Sequence, residues 1–165
     1  MFQTLVVALV MPRLDYGNAT PAGLPAFQLR RLQSVLNAAA RLIHRSPRYE
    51  RITPLLRDLH WLRSPERIDF KLAVLVYRCL HGLAPHYLSD YFQHVAFSNR
   101  RRLRSSSSSL LLIRRTRLIT VGDRAFPVAS SRLWNSLLHV GTSAPTLAVF
   151  RKRLKTYLFS RSFAL

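Results

Sequence analysis

Residues 24–47 read LPAFQLRRLQSVLNAAARLIHRSP. Leu29, Leu32, Leu36, Ala39 and Ile43 recur at steps of three and four, the spacing that lines up one face of an α-helix. Arg30, Arg31, Arg41 and Arg45 fall mostly off that stripe, where solvent would take them. Ala38, Ala39 and Ala40 leave room for a neighbouring helix to come close. Leu24-Pro25 opens the segment. Ser46-Pro47 closes it, because the residue before a proline is pushed out of the α region. A chain whose clearest segment reads this way is expected to be helical.

The same pattern recurs on both sides. Residues 2–11 predict a helix that Pro12 breaks, followed by a turn over Asp15-Tyr16-Gly17-Asn18. The apolar run over residues 1–11 is too short to span a bilayer, which needs about 20 residues. It reads as a buried helix or strand that has lost its packing partner. Thr53 is an expected N-cap with Pro54 at the first helical position, for a helix over 55–62. Ser64-Pro65-Glu66 repeats that signal ahead of an apolar stripe at Ile68, Leu72, Leu75, Val76, Cys79 and Leu80. Gly82 suits the left-handed position after the helix. Pro85 restarts a helix through Tyr87, Leu88, Tyr91 and Phe92. Residues 110–113 and 117–121 are β-prone and predict a small hairpin around Arg114-Arg115-Thr116, or an extended segment. A helix after Gly122 carries Phe126, Leu133, Trp134, Leu137 and Leu138. The last helix starts near Ser143-Ala144-Pro145, with Leu147, Phe150, Leu154, Tyr157 and Leu158 on its apolar face. The expected fold class is mainly α, a bundle of short helices. Its expected regions are a helical part over 1–97, a basic serine-rich linker over 98–109 and a basic helical part over 110–165.

Charge is distributed unevenly. Residues 98–165 hold fourteen Lys/Arg and one acid, Asp123, a net +13; residues 1–97 hold twelve and six, a net +6, for +19 in all. So much uncompensated charge in a compact body repels itself unless a polyanion lies nearby. Arginine outnumbers lysine 23 to 3. A guanidinium meets phosphate oxygens two at a time and stacks on bases, which favours nucleic acid as the polyanion. The residues expected to grip it are Arg30, Arg31 and Arg41; Arg100, Arg101, Arg102 and Arg104; Arg114 and Arg115; and Arg151, Lys152, Arg153 and Lys155. Among the aromatics, Tyr49 between Arg48 and Arg51 is the best exposed candidate for stacking on an unpaired base, whereas Trp61, Tyr77, Tyr87, Tyr91, Phe92 and Trp134 read as core.

Catalytic and metal chemistry find little support. The seven acids, Asp15, Glu50, Asp58, Glu66, Asp69, Asp90 and Asp123, form no metal-binding motif. Glu66 and Asp69, beside Arg63 and Arg67, read as a helix cap and an ion pair. The six histidines show no ligand spacing, and no phosphate-cradling glycine loop occurs. No cofactor or metal is expected. A single cysteine, Cys79, forms no internal disulfide and points to a reducing compartment, nuclear or cytoplasmic.

Several phrases occur in a familiar order. They are Arg13-Leu14-Asp15-Tyr16-Gly17-Asn18, Gly23-Leu24-Pro25, Leu32-Gln33 and Asn37-Ala38-Ala39-Ala40-Arg41-Leu42, then Ile52-Thr53-Pro54-Leu55-Leu56, Leu59-His60-Trp61-Leu62, Arg67-Ile68-Asp69-Phe70-Lys71 and Gly82-Leu83-Ala84-Pro85-His86-Tyr87-Leu88. Val121-Gly122-Asp123-Arg124-Ala125-Phe126, Leu133-Trp134-Asn135-Ser136-Leu137 and 150–159 complete the series. Together they resemble the C-terminal part of the reverse transcriptase polyprotein of non-LTR retrotransposons, LINE elements of the jockey kind. The resemblance implies the thumb and the segment beyond it, which hold template and primer. It places the polymerase aspartates and the endonuclease upstream, outside this chain, and it puts Met1 inside the parent fold. It also implies strand-holding roles for Arg13, Arg30, Arg31, Arg41, Lys71, Arg151, Lys152, Arg153 and Lys155. Gly17, Arg63-Ser64-Pro65 and Leu138 depart from the family pattern.

The expected function is therefore a non-catalytic grip on RNA or DNA through phosphates, independent of base sequence, with the upstream palm domain as a further partner and no membrane. Two alternatives stand beside it: an independent basic helical nucleic-acid-binding protein, and a helical protein-interaction module with no nucleic-acid role.

Overall fold

The computed structural model describes residues 2–16, 24–95, 110–118, 122–137 and 144–163. It is mainly α, with seven helices among the described residues. They are α1 (Phe2–Asp15), α2 (Ala26–His44), α3 (Ile52–Asp58), α4 (Ser64–Leu80), α5 (His86–Ser89), α6 (Phe126–Ser136) and α7 (Leu147–Ser162).

α4 is the hub. It packs on α2, α5, α6 and α7, while α1 and α3 lean on α2. Its two apolar flanks explain this. Ile68 and Leu72 meet Leu29 of α2 and Phe126, Ala129 and Leu133 of α6. Ala73, Val76, Tyr77 and Cys79 meet Trp134 and Leu137 on one side and Phe150, Leu154 and Leu158 of α7 on the other. Helices from both sides of residues 98–109 thus share one core; the basic linker itself lies outside the described residues. Tyr77 is 1% exposed. Its ring stacks on Phe150 at 4.5 Å and on His81 at 3.8 Å, and its hydroxyl donates to the Ala144 carbonyl at 3.0 Å. That bond satisfies the polar end of an otherwise buried ring and ties the approach to α7 onto α4.

A second core joins α2 and α3 to the end of α7. Leu36, Ala40 and Leu56 enclose Phe163. The Arg57 and Arg63 guanidiniums lie 5.5 and 5.2 Å from the Phe163 ring centre, and Arg57 donates to the Phe163 carbonyl at 2.7 Å. Arg57 and Arg63 are therefore engaged in holding the end of α7.

Several local expectations change under tertiary contact. α1 continues through Pro12 to Asp15. Proline removes one helical hydrogen bond, to the carbonyl of Ala8, but Pro12 and Ala8 are both exposed, so water can serve that carbonyl. α1 buries Val6 and leaves Leu5 and Leu9 exposed. α3 begins at Ile52, so Thr53 lies inside it rather than capping it, and the helix ends at Asp58 rather than near residue 62. His60 turns the chain there with φ 51°. Ser64 is the first residue of α4 and not its cap; its N–H donates to Gln33 Oε1 of α2 at 2.8 Å. A side chain from another helix thus fills the capping role. Glu66 and Asp69 do not pair with Arg63 and Arg67: Asp69 pairs with Arg161, and Arg67 with Asp15. α5 is one turn long, which leaves Tyr87 and Tyr91 exposed instead of in the core. α7 starts at Leu147, later than expected, with the Thr146 hydroxyl accepting from the Val149 N–H. Gly82 does adopt φ 67°, with Leu83 N–H bonded to the Arg78 carbonyl at 2.8 Å, as a left-handed helix end requires.

Residues 110–113 do not pair with 117–118. Instead Leu111 forms an antiparallel bridge with His94, through Val95 N–H to Leu110 O at 2.9 Å and Leu112 N–H to Gln93 O at 2.8 Å. The N–H and C=O of Leu111 face the other way, and the Asn135 side-chain amide takes both, each at 2.9 Å. Asn135 stands in for a third strand. Residues 119–121 lie outside the described residues.

Candidate nucleic-acid interface

Five cations from two helices converge on one cleft of about 430 Å³. α4 contributes Arg67, Phe70 and Lys71. α7 contributes Arg151, Lys152 and Lys155. The loop between α3 and α4 contributes His60, Trp61 and Leu62, and the end of α1 contributes Asp15. Five Lys/Arg against one carboxylate leave +4 in the lining (5 − 1).

Each element delivers its side chains for a local reason. On α7 the buried positions are Phe150, Leu154, Leu158 and Ser162, a narrow stripe with a step of four. Residues 151, 152, 153 and 155 must then point away from the core, and all four are exposed. On α4 the core-facing residues Ile68 and Leu72 put Arg67 and Lys71 on the adjoining edge. Asp15 holds that edge. Its Oδ1 accepts from Arg67 Nη2 at 2.6 Å, and Lys71 Nζ lies 3.6 Å from Oδ2. Arg67 is thereby tied to α1, whereas Arg151, Lys152 and Lys155 share the cleft with no carboxylate of their own helix. Packing α7 across α4 is what brings residue 71 beside residues 151–155.

The left-handed His60 decides the shape of the loop. A non-glycine residue in that region pays a steric penalty of about 1–2 kcal/mol. It turns the chain sharply enough that Trp61 and Leu62 fold back over the cleft, with the Trp61 N–H bonded to the Leu56 carbonyl at 2.9 Å. Trp61 is half-buried: it packs on the Leu36–Phe163 core and also lines the cleft.

A second basic recess of about 690 Å³ runs along the end of α2, lined by Ser34, Ala38, Leu42 and Ser46 with Arg41, Arg45 and Arg48. Arg41 is half-buried, and its Nη2 donates to the Glu50 carbonyl at 3.4 Å. Arg45 is the only other described non-glycine residue with positive φ, at 52°. Tyr49, 91% exposed, follows Arg48.

The remaining expected grip residues are dispersed. Arg30 and Arg31 are exposed on α2 and line neither recess. Arg114 and Arg115 are exposed on the extended segment that Asn135 anchors. Arg153 is exposed on α7 outside the cleft lining. Arg100, Arg101, Arg102 and Arg104 lie outside the described residues. Arg67, Trp61, Arg45 and Arg48 belong to the recesses and were not among the residues singled out from the sequence for binding phosphate. Adjacency to Arg41 was the available signal for Arg45 and Arg48, but nothing local marks Arg67 or Trp61.

No protein-family model matches the chain, and no curated protein or solved structure matches it. Among the described residues no group of three or more His, Cys, Asp or Glu could hold a metal ion, and no helix is long and apolar enough to cross a membrane. Two of the described groups titrate away from their ordinary range. Hydrogen bonds from Arg132, and then Thr116, hold the Asp123 carboxyl below the usual carboxylate range. Burial pushes the Cys79 thiol up. Asp123 closes the segment between Thr116 and α6, with Thr116 Oγ1 donating at 2.9 Å and Arg132 Nη1 at 2.8 Å. Gly122 allows that closure, since a Cβ there would lie 2.5 Å from the Thr116 Cβ.

Proposed function

We propose that this chain holds RNA or DNA through its phosphates, without catalysis of its own, as the thumb and post-thumb segment of a LINE-type reverse transcriptase would. The observation that carries the reading is the cleft in which Lys71 and Arg67 of α4 meet Arg151, Lys152 and Lys155 of α7 around one carboxylate. Point charges and guanidinium forks in that density match a phosphodiester backbone, which they position without reading bases. The ordered run of phrases shared with the retrotransposon family supports the same reading, as does the net +19 of the chain.

Anisotropy titrations on duplex DNA, RNA–DNA hybrid and single-stranded RNA across a salt series test it. On duplex, log K falls with log salt at about −0.9 per phosphate neutralised. Replacing Arg151, Lys152 and Lys155 together by Gln is expected to flatten that slope by up to about 2.7, for three contacts, and to weaken every sequence alike. An unchanged slope in a folded variant overturns the proposal. A loss confined to one sequence overturns the sequence-independent part of it.

A further inference from the structure

We infer that the α4–α7 cleft receives an unpaired nucleotide, its base against Trp61 and its phosphates on Arg151, Lys152 and Lys155, so that this face prefers single-stranded to duplex nucleic acid. The inference rests on the nucleic-acid reading above and adds the form of the ligand.

Phosphate grip alone needs only cations on a surface. This cleft has more. Its lining pairs the cations with aromatic surface, Trp61, Phe70 and the His60 imidazole, on the same side of the fold. Its volume, about 430 Å³, falls in the range of small-molecule sites, about 300–1,000 Å³. A stacked duplex presents no free base face to such a recess, because each base is covered above and below by its neighbours. An unpaired base does, and its π-face stacks on an aromatic ring irrespective of base identity.

The backbone is bent to make this surface. His60 is one of two described non-glycine residues held at positive φ, and strain of that kind persists where the surrounding structure enforces it, most often at binding sites. The enforcing contacts are present here. The His60 N–H donates to the Arg57 carbonyl at 3.0 Å, its Nδ1 lies 3.1 Å from the Asp58 carbonyl, and its ring stacks on Phe159 of α7 at 6.0 Å. The loop that carries Trp61 is therefore fixed against the helix that carries the cations. The second recess, on α2, has arginines and serines but no aromatic lining, and so fits phosphate without the base.

The chain has two tryptophans, and Trp134 is only 4% exposed in the core, which makes Trp61 the reporter. The intact protein is titrated with a single strand about eight nucleotides long, as RNA and as DNA, with the same sequence as duplex, and with an abasic strand that keeps every phosphate. The expected result is quenching of tryptophan emission by the single strands, with little by duplex or abasic strand. Trp61→Leu, which keeps an apolar side chain at the core contact, is expected to lose about 5- to 150-fold in single-strand affinity while duplex affinity stays unchanged. Equal quenching by the abasic strand, or equal losses on single strand and duplex in a folded Trp61→Leu protein, overturns the inference and leaves the phosphate grip standing. Absence of binding to any of these ligands removes the grip as well. RNA and DNA strands that quench alike assign the ligand as an unpaired nucleotide of either sugar; a difference assigns the sugar.

Discussion

Asn135→Ala removes the whole edge that Leu111 rests on. Leu111 is 1% exposed, so its N–H and C=O, once orphaned, have no ready access to water. Each buried unsatisfied backbone group costs about 1–3 kcal/mol, and two are orphaned, which gives about 2–6 kcal/mol. For a chain of this size 1 kcal/mol moves Tm by about 2–4 °C, so the expected drop is about 4–24 °C. The assay is thermal unfolding together with hydrogen exchange at the Leu111 amide, which is expected to lose its protection before the helices do. Asn135→Asp separates chemistry from shape. A carboxylate can still accept from the Leu111 N–H but opposes the Leu111 carbonyl, so the variant is expected to be destabilised at neutral pH. That opposition raises the folded-state pKa above the unfolded value of about 3.9, so relative to the wild type the variant regains stability as the pH falls through that window, where the protonated carboxyl can donate again. A Tm for Asn135→Ala within about 1 °C of the wild type, with Leu111 still protected, would refute the claim that the side chain acts as a strand.

Phe163→Ala is expected to cost about 3–5 kcal/mol, the range for emptying a buried aromatic site, because Phe163 is 4% exposed and carries two guanidiniums on its ring; denaturant midpoints check this, and a change below about 1 kcal/mol refutes the closing role of the α7 end. Asp123 has a folded-state pKa depressed by Arg132 and Thr116, so its contribution is present above the unfolded value of about 3.9 and is lost as the pH falls through the folded value. Asp123→Asn is then expected to lower the urea midpoint at pH 6 and to show a shallower loss of stability toward pH 3 than the wild type; parallel curves refute the linkage.

The helical periodicity of residues 26–44, 64–80 and 147–162 was legible because each helix buries one of its own faces, and the spacing of Leu, Ile and Phe records that face directly. Gly82 was legible for a similar reason: a positive φ after the last helical turn is a local demand that a local residue meets. The basic face of α7 could also be read, since a stripe with a step of four leaves residues 151, 152, 153 and 155 with nowhere to go but solvent.

What tertiary structure decided is what joins residues far apart in the chain. Gln33 caps α4, Asp15 pairs with Arg67, Asp69 pairs with Arg161 instead of its own neighbours, and Asn135 completes a strand at residue 111. Pro12 reads as a break because only its missing N–H is visible locally; its exposed position is not. The cleft is of the same kind. Lys71, Arg151, Lys152 and Lys155 were visible in the sequence one helix at a time, but their convergence depends on α7 crossing α4, and the place of Trp61 beside them depends on a left-handed turn at His60. Charge and periodicity are properties of a segment. A site made by two segments exists only once the core between them has fixed their approach.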